Sequence, residues 1–359
     1  MKPTKTILDV FNESNLAKDE YKSYSSFLKS HLLSVDSETN VPWFVKIITI
    51  FGACVGSLLF LGFLLISHLL SSEESMIITG SVFVLSGIAV TYANKRNYLS
   101  DSLSLSLSIL GQVLLGIGIG AKAIEFNTVC YAGLVVETLI YLFAQSYTHK
   151  FLSVILIPAC LLGIIWNSPI FEATHFLIGG LAVASVLIWT NELPLQIRLN
   201  KLPCFFVPTA YGLVLGLLLT LVLSINSKFF VVYINHWYIT SLISFFSLSF
   251  LLYKSLCQSL GISKKTFWLV LTIIAILFAP TVHAPGIISS VLIIILGFTR
   301  SNRILLTLGI VFLATFIISF YYSLQQTLLT KSLMLMLTGV LFLGIGFAFG
   351  HLKKKVAMQ

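Results

Sequence analysis

The feature that most constrains this 359-residue chain is a succession of twelve long apolar runs that begins after Pro42. Most of these runs have about the 20 residues that a helix needs to cross roughly 30 Å of hydrocarbon. A helix also satisfies its backbone hydrogen-bonding groups within one segment, as a lipid environment demands. The sequence therefore predicts an all-α, polytopic transmembrane helical bundle of about 12 spans. The runs are residues 44–70, 75–92, 102–122, 126–146, 150–167, 170–190, 205–225, 236–257, 266–280, 284–299, 304–323 and 332–352.

The ninth and tenth runs are shorter than the others and are joined by a segment that contains Pro280, Pro285 and Gly286. They are therefore predicted to form either two full spans or a re-entrant hairpin. Both arrangements leave the two ends of the chain on the same side of the membrane, because a pair of spans is gained or lost together.

The composition excludes a water-soluble globular protein. Hydrophobic residues make up 57% of the chain and charged residues only 10%, whereas charged residues alone contribute about a quarter of a soluble domain. The net charge of +9 does not indicate nucleic-acid binding, because the basic residues lie in short loops between apolar runs and form no continuous basic surface.

The distribution of basic residues predicts the orientation. With the N-terminus inside, the inner loops and the C-terminal tail carry 13 basic residues and the outer loops carry three, Lys122, Lys228 and Lys331. Because positive charge is enriched on the cytoplasmic side, both termini are predicted to be cytoplasmic. The inner residues are Lys95, Arg96, Lys150, Arg198, Lys201, Lys254, Lys264, Lys265, Arg300, Arg303, Lys353, Lys354 and Lys355.

The chain divides into three parts. Residues 1–42 are polar, with apolar positions spaced as in short amphipathic helices, and are predicted to form a cytoplasmic N-terminal helical segment. Residues 43–352 form the transmembrane domain, and 353–359 form a basic cytoplasmic tail. The loop 191–204 separates two possible halves, 43–190 and 205–352.

Glu137 is the one carboxylate that is placed near the middle of a predicted span. An ionisable group at the bilayer centre costs about 3 kcal/mol or more, so it usually faces a partner or a cavity. Gln112 lies at matching depth in the preceding run. Glu137 is about 18 Å and Gln112 about 15 Å from the turn that joins their runs. Ser108 and Tyr141 extend these two polar faces by one turn each.

Two interpretations of this predicted hairpin remain open. In the first, Glu137 is protonated and serves as a structural hydrogen-bond partner of Gln112. In the second, Glu137, Gln112, Ser108 and Tyr141 form a site that handles a proton or a cation.

The charges of the second half suggest another candidate site. Glu192 is the last side-chain carboxylate, and residues 193–359 contain twelve lysines and arginines. On the predicted outer face this leaves Lys228 and Lys331, which either pair with carboxylates of the first half or bind an anionic group such as a lipid phosphate.

No motif predicts a catalytic, cofactor or metal site. The chain lacks a phosphate-binding glycine loop, a nucleophile elbow and a His-Glu-x-x-His pair. Glu172 and His175 have the Glu-x-x-His spacing of helical metal sites, but a metal would need further ligands from the outer-face histidines His68, His236 or His283. Ordinary interfacial polar residues are the preferred interpretation. The five cysteines are interpreted as reduced packing residues.

Pairs of glycines spaced by four residues predict close helix packing. These pairs are Gly52/Gly56, Gly116/Gly120, Gly212/Gly216 and Gly346/Gly350.

Several short motifs carry a resemblance to a known family. They are Pro42-Trp-Phe-Val, Leu110-Gly-Gln, Gly297-Phe, Ser301-Asn-Arg, Tyr321-Tyr-Ser-Leu, Thr327-Leu-Leu-Thr-Lys-Ser and Thr338-Gly. Over roughly residues 40–350 the chain resembles a bacterial family of polytopic inner-membrane proteins without an assigned function. Members of that family are often encoded beside a smaller membrane-anchored protein named for a Gly-Asp-Tyr signature. The resemblance implies a bacterial inner membrane and such a partner, and it brings no catalytic residues.

The sequence therefore favours a multi-span protein that binds or moves a small solute or a lipid. The alternative is a non-catalytic membrane scaffold that holds another envelope protein. An intramembrane enzyme acting on lipid-linked glycans is disfavoured, because the chain has no large outer loop with acidic or basic catalytic groups.

Overall fold

The computed structural model describes residues 43–67, 72–93, 98–123, 125–192, 203–225, 234–259 and 263–323, together with Leu329, Ser332 and Met336. The predicted N-terminal segment (1–42), nearly all of the twelfth run (332–352), the basic tail (353–359) and both Lys228 and Lys331 lie outside the described residues.

Within these ranges all regular structure is helical. The α-helices are α1 (Trp43–Ile66), α2 (Glu73–Ala93), α3 (Tyr98–Lys122), α4 (Phe126–Phe143), α5 (Tyr147–Trp166), α6 (Ala173–Thr190), α7 (Pro203–Ile225), α8 (Tyr238–Leu252), α9 (Lys264–Phe278), α10 (Pro285–Thr299) and α11 (Arg303–Ser323). A π-helix, Tyr253–Ser259, continues α8, and a 3-10 turn, Ala279–Thr281, follows α9.

Eight of the described helical segments are long and apolar enough to cross a membrane. They are α2 to α7, α11, and α8 taken together with the first part of its π-helical continuation, Tyr238–Cys257. Shorter apolar stretches of 10–17 residues lie in α1 (Phe51–Ile66), α9 (Phe267–Phe278) and α10 (Pro285–Thr299), although α1 as a whole has 24 residues. The all-helical membrane class is therefore confirmed. The twelve-span count stays a prediction, since eleven of the twelve runs coincide with a helix and eight of these helical segments are long and apolar enough to span.

The helices of the ninth and tenth runs, α9 and α10, have 15 residues each, which corresponds to about 22 Å. Neither reaches across about 30 Å of hydrocarbon by itself. Pro285 occupies the first turn of α10, where a missing N–H is tolerated. Most of α10 is buried, whereas α9 exposes Trp268 and Ile276. Both the two-span and the re-entrant interpretations remain compatible with these lengths.

The packing of α2 against α3 is very close because glycines face the opposite backbone. A Cβ atom at Gly111 would lie 2.6 Å from the carbonyl oxygen of Gly80, and one at Gly87 would lie 3.0 Å from the carbonyl oxygen of Ser104. The sequence analysis did not single out this set of glycines. As a result α3 packs more extensively against α2 than against α4, its neighbour across the short turn.

The predicted glycine pairs have different outcomes. Gly212 and Gly216 do mark a close contact, between α7 and α5, where they face Val154 and Pro158. By contrast, no described atom lies within 4 Å of a Cβ placed at Gly52, Gly56 or Gly116, so these three do not mark a helix contact in the described part of the chain. Gly346 and Gly350 lie outside the described residues.

The largest buried core is formed by α6, α7, α8, α10 and α11, around Leu217, Leu248 and Leu292, and α9 contributes Phe267 to it. The helix α6 packs more extensively against α7 and α8 than against α5. The division into halves at 191–204 stays a prediction, but α6 shares its core with helices of the second predicted half.

Candidate functional site

The carboxyl group of Glu137 lies buried between α4 and α5. Only 4% of the residue is exposed, and its position in α4 is six residues, or about 9 Å, from the end of the helix at Phe143. The neighbouring residues of α4, Val135 and Leu139, are exposed on the outside of the described structure. The helix therefore turns its one acidic side chain away from the lipid-facing surface and towards α5.

The carboxyl oxygen Oε2 of Glu137 has no hydrogen-bond partner among the described residues. The hydroxyl of Ser153 on α5 lies close enough to interact with the carboxyl, but Ser153 Oγ also lacks a partner that meets both distance and angle limits. Two polar atoms of facing helices are thus buried side by side without a fully formed bond. Buried polar groups in native proteins are nearly always paired, so such an exception calls for an explanation.

The predicted pairing of Gln112 with Glu137 does not form. Gln112 Nε2 donates to Ser108 Oγ of its own helix at 3.3 Å, and Glu137 faces Ser153 of α5. The depth prediction was made from helix rise alone, and rise does not determine which way a side chain points around the helix axis. The polar face of α3 around Ser104 and Ser108 packs instead against Gly87 of α2.

Tyr141 connects the Glu137 region to the second predicted half. It lies one turn beyond Glu137, and its hydroxyl is 2.8 Å from Thr209 Oγ1 on α7. Thr209 Oγ1 donates to the carbonyl oxygen of Phe205, so the tyrosine hydroxyl is the donor to Thr209. The Tyr141 ring also packs edge-on against Phe205, with 5.7 Å between the centroids.

The first turn of α5 contributes two buried groups that the sequence analysis did not identify as site residues. His149 Nε2 lies 2.7 Å from Ser104 Oγ, which itself donates to the carbonyl oxygen of Gly87. Ser104 must therefore accept from His149, which places the proton on Nε2. The Nζ atom of Lys150 lies 3.2 Å from the centre of the Phe205 ring, a cation–π contact.

A second polar cluster joins the start of α6 to the start of α8. His175 is fully buried, and its Nε2 lies 2.9 Å from Glu172 Oε2 and 2.6 Å from the backbone oxygen of Asn235. Its Nδ1 lies 2.7 Å from Thr240 Oγ1. Both groups near Nε2 are acceptors, so Nε2 carries a proton.

Glu172 also approaches a second histidine, since its Oε1 is 3.4 Å from His236 Nδ1. Glu172, His175 and His236 thus converge, as the Glu-x-x-His spacing had suggested for the first two. The contacts are hydrogen bonds, and among the described residues no group of three or more His, Cys, Asp or Glu side chains is arranged to hold a metal ion.

The described cysteines are free thiols. Two of them line the α4–α5 interface beyond Glu137, where Cys130 Sγ faces Gly163 and Cys160 Sγ faces Gly133. These glycines let the two helices approach, and the thiols fill the space between them.

Together these elements define the class of protein. The chain is a multi-span helical membrane protein with one buried, incompletely paired carboxyl group inside a span. It belongs to the family described as a domain of unknown function (DUF4401), which matches residues 42–352. No curated protein and no solved structure matches the chain.

Proposed function

We propose that this protein binds or translocates a small solute or a lipid, and that Glu137 is the group that takes up and releases a proton or binds a cation. The observation that carries the proposal is the unpaired Oε2 of a carboxyl that is 4% exposed within a span. A carboxyl placed there is costly. A purely structural role would be expected to pair it fully, because a half-satisfied polar group is worse than an apolar one.

The surroundings of Glu137 support a site that changes its protonation or its ligand. The Ser153 hydroxyl lies beside the carboxyl and can donate to a carboxylate or accept from a protonated carboxyl. The carboxylate of Glu137 and the hydroxyl oxygen of Ser153 are also suitable ligands for a small cation. Tyr141 ties the same helix to α7, so a change at Glu137 would act on a helix that contacts the second half.

The proposal includes a location and an orientation. We place the protein in a bacterial inner membrane with both termini in the cytoplasm, as the distribution of basic residues and the family resemblance imply. Reporter fusions after Gln359 should be active only with a reporter that works in the cytoplasm, and fusions near Ser72 only with one that works outside. An external signal from the C-terminal fusion would contradict this orientation.

The decisive variant is Glu137→Gln, which keeps the shape of the side chain and removes its titration. The matched control is Glu125→Gln, the same change at an exposed position just before α4. Infrared spectra of the purified proteins should contain a protonated-carboxyl band that is absent from Glu137→Gln and present in Glu125→Gln. The band should change when pH is varied or when Na⁺ or K⁺ is added.

The same variants separate function from folding. Glu137→Gln should melt near the wild-type temperature and abolish the cellular phenotype that the gene supports, and Glu137→Asp should keep part of it. A Glu137→Gln protein that is fully stable and fully functional, together with a band that does not respond to pH or cations, would refute the ion-handling role.

A membrane scaffold is the second candidate. The observation that favours it is α9, which packs Phe267 into the core and presents Trp268, Ile273 and Ile276 on its exposed side. Such a face suits a membrane-anchored partner protein as well as lipid. Stable co-purification of one partner in mild detergent, lost when Trp268 and Ile276 are changed to alanine while Glu137→Gln has no effect, would favour the scaffold.

A further inference from the structure

The helices α6 and α8 lie side by side and run in the same direction. Near their first turns His175 bonds to Thr240, and one turn further a Cβ at Gly179 would lie 2.7 Å from Ile243. Near their last turns the Nζ atom of Lys254 donates to the backbone oxygen of Thr190 at 3.0 Å and to Oδ1 of Asn191 at 2.8 Å. The two helices are therefore held together at both ends.

Between these two ends the helices leave an open groove of about 310 Å³ on the outer surface of the bundle. Its walls come from Val183 and Leu187 on α6 and from Phe246 and Phe250 on α8. The one hydroxyl in the lining, that of Ser247, donates to Ile243 of its own helix. The groove thus offers no free polar side chain along the middle of the two spans, where the surrounding medium is hydrocarbon.

Positive charge lies at one end of the groove. Lys254 follows Phe250 by four residues, or about 6 Å along the helix axis. The helix α10 packs against α8 and runs in the same direction, because Ser241 bonds to Val282 before α10 and Ser244 lies 3.1 Å from Ser289 within it. Arg300, after the end of α10, therefore lies at the same end of the bundle as Lys254. No described carboxylate is within ion-pair distance of either cation, and the sequence contains no Asp or Glu after Glu192.

We propose that the groove between α6 and α8 binds one anionic phospholipid, with an acyl chain along Val183, Leu187 and Phe246 and the phosphate at Lys254 and Arg300. The groove extends from Ile243 to Phe250, about 10 Å along the helices. A chain lying there would leave its headgroup at the level of the two cations. Basic pockets between spanning helices on the cytoplasmic side recognise anionic headgroups in this way.

This site is separate from the proposed role of Glu137, which lies between α4 and α5. It also differs from the lipid site predicted on the sequence alone. Lys228 and Lys331 were assigned to the outer face, whereas Lys254 and Arg300 belong to the predicted cytoplasmic face.

The test uses the full-length protein, purified in mild detergent and incubated with phosphatidylglycerol or phosphatidylethanolamine, with bound lipid counted by native mass spectrometry. Val183→Phe fills the groove, and Val135→Phe is its control at an exposed position on α4. Arg300→Gln and Lys254→Gln remove the cations, and Lys265→Gln is the control at an exposed residue of the same predicted face. Because Lys254 also holds α6 to α8, Arg300→Gln and Val183→Phe keep the test independent of that contact.

We expect one phosphatidylglycerol on the wild type, the Val135→Phe protein and the Lys265→Gln protein. Removing one cation should weaken binding about fivefold, which corresponds to about 1 kcal/mol for a basic residue near an anionic headgroup. Val183→Phe should abolish the binding of phosphatidylglycerol.

Equal binding by Val183→Phe and the wild type would refute the groove as the lipid site. Equal losses in Arg300→Gln and Lys265→Gln, or equal affinity for phosphatidylethanolamine, would refute recognition of the headgroup by these cations.

Discussion

The contact between α2 and α3 gives a quantitative prediction for Gly111→Ala. The added methyl group would lie 2.6 Å from the carbonyl oxygen of Gly80, 2.7 Å from the backbone nitrogen of Val84 and 2.8 Å from a Val84 methyl group. Two of these three atoms belong to the backbone, so no side-chain rotation relieves the clash. Ordinary contact distances begin near 3.4 Å, so the helices must separate by roughly 0.8 Å, which loosens the contacts along both of them.

Overpacking of this kind typically costs about 1–3 kcal/mol. It is opposed by the higher helix propensity of alanine, which is worth up to about 1 kcal/mol over glycine. The matched control is Gly116→Ala on the same helix, because no described atom lies within 4 Å of its Cβ. There only the propensity term remains, so we expect Gly116→Ala to leave stability unchanged or to raise it slightly.

The measurement is the free energy of unfolding of both variants in mixed micelles, titrated with a denaturing detergent. We expect Gly111→Ala to lose about 1–3 kcal/mol relative to Gly116→Ala, because the gain in helix propensity is the same in both variants and only the overpacking cost differs. Equal stability of the two proteins would refute the close contact of α2 and α3. A loss of stability confined to Gly116→Ala would instead support the close helix contact at Gly116 and Gly120 that the glycine spacing predicted.

Two other contacts can be tested in the same assay. In a double-mutant cycle, Tyr141→Phe and Thr209→Val should couple by about 0.6 kcal/mol, the average for interhelical hydrogen bonds in membranes, and additive effects would contradict the Tyr141–Thr209 bond. Ser104→Ala should cost about 1–3 kcal/mol because it leaves the buried N–H of His149 unpaired. Ser86→Ala should cost much less, since the Ser86 hydroxyl bonds to its own helix, and equal losses would contradict the role of Ser104.

The positions of the helices could be predicted because each is determined by its own residues. A run of about 20 apolar residues forms a helix in lipid whatever its neighbours are. For this reason eleven of the predicted runs coincide with helices. The position of Glu137 along its helix follows from the same local arithmetic, since helix rise is constant, and its depth in the membrane stays a prediction.

The partners of these helices could not be predicted in the same way. A short turn makes α3 and α4 neighbours, but it does not determine the rotation of either helix about its axis. Successive side chains of a helix differ by about 100° in direction. The rotation of α4 about its own axis therefore decides whether Glu137 faces Gln112 on α3 or Ser153 on α5. The contact of Tyr141 with Thr209, 68 residues away, has no signal in the sequence. His149 was not identified as a site residue because it directly precedes the predicted run 150–167 and was therefore assigned to a loop.

The spans contain three kinds of polar side chain, which differ in how their hydrogen bonds are satisfied. Hydroxyls such as Ser185 and Thr220 bond to carbonyl oxygens four residues earlier in their own helix, so they need no partner. A second kind bonds across helices, as His175 does with Thr240, and helps to determine which helices pack together. Glu137 belongs to neither kind, because its Oε2 has no partner among the described residues. The Ser153 hydroxyl beside it also lacks such a partner, so the packing of α4 against α5 leaves two facing polar groups without a complete hydrogen bond, and this pair is the basis for the role proposed for Glu137.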